Sequence, residues 1–540
     1  MSDHDETAGT ANGGGEAPAR PPVRGGAAAS GKRGVQPPRR ERSTWLAWLS
    51  VVLCLSATSS VVLNRIGSGG SWSEQEAASI ERLSATLAHQ RAMDEAWSAA
   101  AWTPVEGEAL AYDQPPGVAW VQLLAARDLE AGAVDRGALR LRSRLASGVM
   151  LLLAVAGTFW AAHAIGGMLP ATLAGLAAGS MPLWVMWGRS GEGVIVAAGW
   201  ALLAIGAGMW ATRPLRPPPS VPRQVLGWAL CGAFLAVAVL CGGLRVLPPA
   251  VTPMVIVLAV APHRVGHLLG LLAAVVVMGL ALTPWALYVH EHDPEAWRTW
   301  WGALNPTQWE RPMDYGRLVG LRVGALAVLL LPWTGWVAAG LMQTFSTSTG
   351  GARLRMLIGW AWFVAVGAMM VASPGQRVFA PLALAAPAGA IVIGQLFRQF
   401  SDLASGGRFP RLWRWLRWPH VGLLAALTLG LTGAAAFQRD LVGWGWLERP
   451  WVAPMAWQYW AGTAVIGLGL LAWSGKTVFK HEPARSGVLW GVWGIVMSAL
   501  LAGPIAQGPL PHDRGITPAD PAPPAATLVR VEPEPTPAPR

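Results

Sequence analysis

Long apolar runs separated by short, arginine-bearing polar gaps make up most of this chain. The first covers residues 45–63 and is apolar for nearly its whole length. Twelve more follow, at 145–165, 168–187, 193–212, 225–243, 247–261, 268–289, 318–342, 356–372, 378–396, 421–437, 457–473 and 487–505. Each is about long enough to cross a hydrocarbon core once as a helix, so the pattern predicts an all-α integral membrane protein with about 12 to 13 spanning helices. Residues 45–63 could pass for a secretory signal, since Arg39, Arg40 and Arg42 precede them. They begin too far into the chain, lack a small-residue cleavage site and are followed by many similar runs, so they read as the first span.

The gaps are asymmetric. If the N-terminus is cytoplasmic, the gaps at 213–223, 263–267, 353–355, 398–417 and 476–485 fall inside, and they carry most of the short-loop Arg and Lys. That is the distribution the positive-inside rule requires.

Composition supports this picture. Of the 540 residues 53% are hydrophobic and only 13% charged, which excludes an ordinary soluble domain. The net charge of +11 could suggest nucleic-acid binding. The arginines, however, sit between apolar spans and form no compact basic domain, so orientation and anionic lipid explain them and nucleic acid is not an expected partner. The 32 tryptophans, against four tyrosines, fit interfacial belts and packing, many lying at predicted helix ends. Cys54, Cys231 and Cys241 each lie inside an apolar run, where a thiol acts as a small hydrophobe, so no structural disulfide is expected.

The stretches outside the spans divide by composition. Residues 1–44, rich in Gly, Ala, Pro and Arg, read as a disordered basic cytoplasmic tail, and residues 506–540 as a Pro-rich disordered one, around a membrane domain at 45–505. Two large loops fall on the outer face. The first, 64–144, is far longer than a turn needs. Its opening SWSEQEAASIERLSATLAHQRAMDEAW has helical composition without enough apolar length to span, which places helices along the interface. The second, 290–317, mixes acids, arginines and tryptophans.

A series of short motifs runs through these segments. WSEQEAASIER carries Ser73-Glu74 just after the first span, and YDQPPGVAW makes an acidic double-proline corner with Tyr112, Asp113, Gln114 and Pro115. Arg144 lies in RSRLASG, Arg189 and Glu192 in PLWVMWGRSGEG, and Arg245 in GGLRVLPP. LTPWALY and LLLPWTGW hold Trp285 and Trp333, and SPGQRVFAPLALAAP holds Arg377 and Pro381. In this order, over roughly 45–390, they resemble the GT-C class of polytopic glycosyltransferases, in the branch of the protein O-mannosyltransferases and the bacterial lipid A aminoarabinose transferase (family 39-like).

The resemblance implies transfer of a sugar, hexosyl or pentosyl, from a polyprenyl-phosphate donor to a lipid, glycan or protein acceptor at the periplasmic face of a bacterial inner membrane. No cofactor and no metal are expected. The family has an Asp-Glu pair where this chain has Ser73-Glu74, and a lysine where it has Gln114. Such a reaction develops negative charge on the leaving phosphate, which arginine's planar fork stabilises through paired hydrogen bonds. Arg245, Arg377, Arg189 and Arg311 are the candidates for that task. A carboxylate takes the acceptor's proton or orients the sugar, and Glu74, Asp113 and Glu192 are the catalytic candidates. For the acid missing at Ser73, the substitutes are Glu74 or Glu76 after a small rotation of their helix, Asp94-Glu95 in MDEAW, or an acceptor already ionised. The two prolines stiffen the corner, so Asp113 can be held at a cavity mouth while Trp120 anchors the next segment at the interface.

Other readings stay open at this level. Arg189 and Glu192 could pair at a surface, Arg245 could snorkel from a helix end, Glu74 and Glu76 could belong to a solvated helix face and Arg311 could be a simple loop charge. His290, Glu291, His292 and Asp293 offer metal-type ligands in succession, but neighbours on one turn rarely converge, and an ordinary polar helix end is the better reading. The function alternatives are a catalytically inactive scaffold of the same fold and a polytopic transporter of lipid-linked sugars. A transporter would place ionisable groups mid-span, whereas here most charges sit at span ends.

Overall fold

The computed structural model describes residues 44–63, 74–93, 102–106, 109–112, 115–129, 135–191, 193–212, 219–260, 264–302, 312–346, 350–372, 379–407, 410–443 and 455–507. The chain separates into a short unit, Met1–Leu46, and the main unit, Ala47–Arg540, to which the following applies.

The described residues form nineteen α-helices, one two-stranded hairpin and a 3-10 turn. In order they are α1 (Thr44–Leu63), α2 (Glu74–Ala92), β1 (Val105–Glu106), β2 (Ala109–Leu110), α3 (Gly117–Ala126), α4 (Arg136–Gly166), α5 (Met168–Gly179), α6 (Pro182–Arg189), α7 (Val194–Thr212) and α8 (Val221–Gly242). The 3-10 turn Leu244–Val246 leads into α9 (Leu247–Val260), then α10 (Arg264–His292), α11 (Pro294–Gly302), α12 (Pro312–Leu329), α13 (Thr334–Ser346) and α14 (Gly350–Ala372). The chain continues through α15 (Phe379–Ser405), α16 (Arg411–Ala436), α17 (Gln438–Gly443), α18 (Trp457–Phe479) and α19 (Pro483–Gln507).

Every predicted apolar run falls on helix, as it must where a bilayer offers the backbone no other hydrogen-bond partner. By length and apolarity, eight helices among the described residues can cross a membrane, or ten when two bent pairs are each taken as one span. The predicted runs at 45–63, 247–261 and 378–396 lie on α1, α9 and α15. The protein is a multi-pass, all-α membrane protein.

Two runs that read as straight spans are broken. α5 and α6 meet at 67°, and α12 and α13 at 103°. Pro182 supplies no amide for a helix continuing from α5 and starts α6 instead. Pro332 stands at the second break. The bends are tied together, because the Trp333 indole N–H donates to Ser180 Oγ at 2.8 Å. The basic stretch at 398–417, read as a loop, is mostly helical: α15 runs on to Ser405 and α16 starts at Arg411.

The bundle is knit by close backbone approach. A side chain at Gly232 of α8 would place its Cβ 2.2 Å from the Ala274 carbonyl oxygen of α10, so only glycine lets these helices meet there. Where α13, α15, α16 and α19 converge, the rings of Trp336, Trp413, Trp490, Phe397 and His420 pack on one another, with Trp336 and Trp490 stacked at 5.7 Å. Packing accounts for eight of the tryptophans, Trp184, Trp228, Trp333, Trp336, Trp362, Trp413, Trp460 and Trp490, which are fully buried in the protein.

Candidate functional site

The segment between α1 and α4 folds back onto the bundle through an apolar stripe on α2. Ile80, Leu83 and Leu87 recur at helical spacing and bury against Leu123 and Ala126 of α3 and Leu139 of α4. That seating carries Glu76, one turn earlier, into the interior against α4. There Arg144 donates from Nε to Glu76 Oε1 at 2.7 Å and from a terminal nitrogen to Oε2 at 3.0 Å, and both side chains are 0% exposed.

This ion pair holds a turn of backbone. Glu76 Oε1 also accepts the Gly191 N–H at 2.9 Å, while the Gly191 carbonyl accepts from Gln122 Nε2 at 2.8 Å, Ser79 Oγ at 3.0 Å and Ser143 Oγ at 3.1 Å. Both polar groups of that peptide are therefore satisfied by side chains from α2, α3 and α4. Gly193, at φ +77°, completes the turn, and a Cβ there would stand 2.2 Å from Val118 Cγ1.

Arg189 ends α6 two residues before this clamp and is 1% exposed. It interacts electrostatically with Arg144, so Arg189, Arg144 and Glu76 together hold two positive charges and one negative. Arg189 also lines a cavity of about 330 Å³ whose other walls, among them Met186, Leu331, Pro332, Leu427 and Met497, are almost wholly apolar. The cavity lies at the two helix bends, with α16 and α19 supplying further walls. α15 joins α6 from another side, where the Trp184 indole donates to the Ala383 carbonyl at 2.9 Å.

The proline corner is built next to this. Gly117 lets α3 start against the end of α8, since a Cβ would meet the Leu240 backbone at 2.8 Å. Pro115 packs on Gly243, two residues before Arg245, which is half-buried in the 3-10 turn. Trp120 is held by protein contacts: its indole donates to the Trp102 carbonyl at 2.7 Å and its ring meets Trp285 edge-on at 5.4 Å. On the far flank Tyr112 packs against Tyr288 and His292 of α10, at 5.9 and 6.0 Å between ring centres. Burial, then the neighbouring Tyr288 and the Asp293 carboxylate, pushes the Tyr112 phenol above its ordinary range.

Of the candidates read from sequence, Arg189 and Arg245 are described, the first at the end of α6 and the second in the 3-10 turn before α9. Glu74 is the first residue of α2, with its side chain outside the described residues. Ser73, Asp94, Glu95, Asp113, Gln114, Glu192, Arg311 and Arg377 also lie outside them. Their described neighbours are Tyr112 and Pro115 for Asp113, Gly191 and Gly193 for Glu192, and Phe379 at the head of α15 for Arg377.

Glu76 needs correction. It is neither on a solvated face nor a free substitute for an acid at Ser73, because its carboxylate is consumed by Arg144 and the Gly191 amide. Arg189 is likewise interior rather than a surface charge. Sequence reasoning missed Gln122 and also Ser143, which stands beside Arg144 in RSRLASG but was not singled out. It also passed over Arg322, buried in α12 and donating to the Met370 carbonyl at 2.9 Å, although an arginine inside an apolar run is itself a signal. The HEHD stretch is a helix end as expected: Asp293 Oδ1 caps α11 by accepting from Glu295 N and Ala296 N, and His290 turns edge-on to Trp297.

No protein-family model and no curated protein sequence matches this chain. Solved structures do. ArnT from Cupriavidus metallidurans bound to undecaprenyl phosphate superposes with a TM-score of 0.59 at 18% identity, covering 86% of this chain and 78% of its own. The same protein in the apo state gives 0.58 over the same shares. AglB from Archaeoglobus fulgidus, in complex with an inhibitory peptide and a dolichol-phosphate, gives 0.43 at 12% identity over 82% and 56%, a looser likeness that carries no weight. Over most of its length the chain therefore has the polytopic all-α fold of ArnT.

Proposed function

We propose that this protein is a glycosyltransferase that moves a sugar from a polyprenyl-phosphate donor to a lipid, glycan or protein acceptor. The supporting observation is that a bundle with the fold of ArnT carries two inward arginines, Arg189 at the buried end of α6 beside the Gly191 clamp and the half-buried Arg245 two residues from Gly243, which Pro115 approaches. The fold likeness to an enzyme bound to undecaprenyl phosphate favours the same donor class here. On this reading the N-terminus is cytoplasmic, the site opens on the periplasmic face of a bacterial inner membrane, and the partners are the donor, the acceptor and surrounding lipid.

Arg245 and Arg189, joined by Arg377 and Arg311, hold the phosphate, whose charge grows as the glycosidic bond breaks. Asp113, Glu74 and Glu192 supply the carboxylate chemistry around the sugar. The apolar cavity beside Arg189 suits a hydrocarbon chain with an anionic head, since a guanidinium at the end of an apolar wall pairs best with phosphate.

The test is release or transfer of labelled sugar from synthetic polyprenyl-phosphate sugars by the purified protein in lipid nanodiscs. Arg189→Ala and Arg245→Ala should each lower kcat/KM by about 100-fold, and Arg189→Lys should not restore it, because ammonium lacks the paired donors. Absence of turnover with every hexosyl and pentosyl donor in the wild-type protein would reject the assignment.

A further inference from the structure

We propose that Arg417, with Arg414 and the His481 imidazole beside it, forms a site for the phosphate of an anionic phospholipid, where α16 begins and α18 turns into α19. Composition alone gives the arginines of the basic gaps a diffuse attraction to lipid. The fold gives these groups a geometry.

Two of the gaps that the sequence places on one face, 398–417 and 476–485, meet. Arg417 Nη1 donates to the Val478 carbonyl at 3.1 Å and to His481 Nδ1. A guanidinium has no acceptor, so His481 receives this contact on a lone pair, and its neutral ring carries the proton on Nε2 as a further donor. Burial, then the Arg417 and Arg414 guanidiniums, holds the imidazole below its ordinary range, in keeping with that neutral form. The turn that carries His481 is fixed. The Glu482 N–H donates to the Thr477 carbonyl at 2.9 Å, and the Thr477 and Ser486 hydroxyls are bonded at 2.9 Å.

What Arg417 leaves unused is the edge of its fork formed by Nε and Nη2. Nε is buried and has no hydrogen-bond partner among the described residues. In Arg144 the same edge grips both oxygens of the Glu76 carboxylate. No described acid does this for Arg417: Glu482 pairs with Arg485, and Asp402 with Arg398. Arg414 instead adds a second positive charge that acts on Arg417. Two guanidiniums with no carboxylate between them repel, and a phosphate diester relieves the repulsion while its two free oxygens match the empty edge.

The surroundings select a lipid over a soluble anion. Trp418 and Phe479, the residues next to Arg417 and Val478, meet edge-on at 4.8 Å, and Trp415 and Phe479 are 77% and 72% exposed. Exposed aromatic rings beside cations at helix ends are the arrangement that sits at headgroup level in a bilayer. Arg414 is exposed and Arg417 half-buried, so a headgroup can reach both. The site is separate from the apolar cavity beside Arg189, because Leu427, which lines that cavity, stands ten residues further along α16, a distance of about 15 Å.

The experiment titrates phosphatidylglycerol onto the purified full chain, with phosphatidylcholine as reference, and reads bound lipid by native mass spectrometry. Wild type should hold one phosphatidylglycerol about tenfold more tightly than phosphatidylcholine. Arg417→Ala and Arg414→Ala should each remove that preference, and Arg417→Lys should not restore it, because an ammonium lacks the paired donors. Lys476→Ala, an equal loss of charge on an exposed part of α18, should keep it. Arg414 is exposed, so its variant keeps the fold, and phosphatidylglycerol should raise the Tm of wild type but not that of Arg414→Ala. A wild type without the preference, or equal losses in Lys476→Ala and Arg417→Ala, would overturn the proposal in favour of diffuse attraction. Displacement of the lipid by millimolar inorganic phosphate would overturn it in favour of a soluble anion. None of these readouts depends on sugar transfer, so the transferase reading stands or falls separately.

Discussion

The clamp on Gly191 gives a sharp energetic test. Replacing Glu76 with Leu removes the two carboxylate oxygens that accept from Arg144 and the acceptor of the Gly191 amide, beside a guanidinium that is 0% exposed. Breaking a buried pair from one side costs about 3–5 kcal/mol. Arg144→Met, which strands Glu76 instead, should cost about the same. The double variant, Glu76→Leu with Arg144→Met, has no stranded charge and keeps the volume, so its remaining cost is the unmade Gly191 hydrogen bond, about 1–3 kcal/mol. The double variant should therefore be more stable than either single one, and the two changes should be non-additive by about 3 kcal/mol or more. Equilibrium unfolding in SDS-containing mixed micelles, followed by circular dichroism on all four proteins, closes the cycle. If the two single losses add to the double to within about 0.5 kcal/mol, the side chains do not interact and the clamp is misassigned.

Three other outcomes follow from the same packing. Trp336→Ala opens a cavity among Trp413, Trp490 and Phe397 and should cost about 3–5 kcal/mol, measured in the same unfolding assay with loss of near-ultraviolet ellipticity. Gly193→Ala forces a Cβ against Val118 at a left-handed backbone position and should cost about 1–3 kcal/mol, whereas Gly422→Ala, where nothing lies within 4 Å, should be neutral or slightly stabilising. Tyr112 should stay protonated past its ordinary value of 10.0, read as a late phenolate absorbance that disappears in Tyr112→Phe. Because the folded state then holds a proton that the unfolded chain releases, Tyr112 contributes stability that is present below pH 10 and lost as pH rises above it.

The spans were legible because a bilayer leaves the sequence few choices: thirteen apolar runs became helices, and their arginine-bearing ends stayed at their ends. What stayed hidden depends on contacts between segments far apart in sequence. Glu76 and Glu74 are indistinguishable in SEQEAAS, and only the seating of Ile80, Leu83 and Leu87 on α3 and α4 turns Glu76 inward to Arg144, 68 residues away. Gln122 has no signal at all, since its task is to hold the backbone of Gly191. The bends at 180 and 332 could have been read from Pro182 and Pro332, but prolines in apolar spans are common enough that a straight helix was the natural expectation. The tryptophan core was hidden for a related reason. Helix ends are where Trp anchors membranes, and they are also where broken and tilted helices of one bundle meet.

The clamp also bears on what Arg189 can do. A long cationic side chain usually loses considerable freedom when it binds an anion, and that loss weakens the contact. Here the backbone two residues on is fixed by four side-chain groups and an ion pair, and the guanidinium itself is folded into the protein before any ligand arrives. A charge developing beside it meets a dipole and charge arrangement already in place, which is the condition under which electrostatic stabilisation is largest. The buried pair is thus better understood as the support that sets the position of a neighbouring cation than as a source of net stability, since such a pair contributes little over a well-packed apolar substitute. It follows that the Glu76→Leu, Arg144→Met double variant, though more stable than either single variant, should bind a phosphate-headed lipid more weakly than wild type, and equal affinity would show that the position of Arg189 is set by something else.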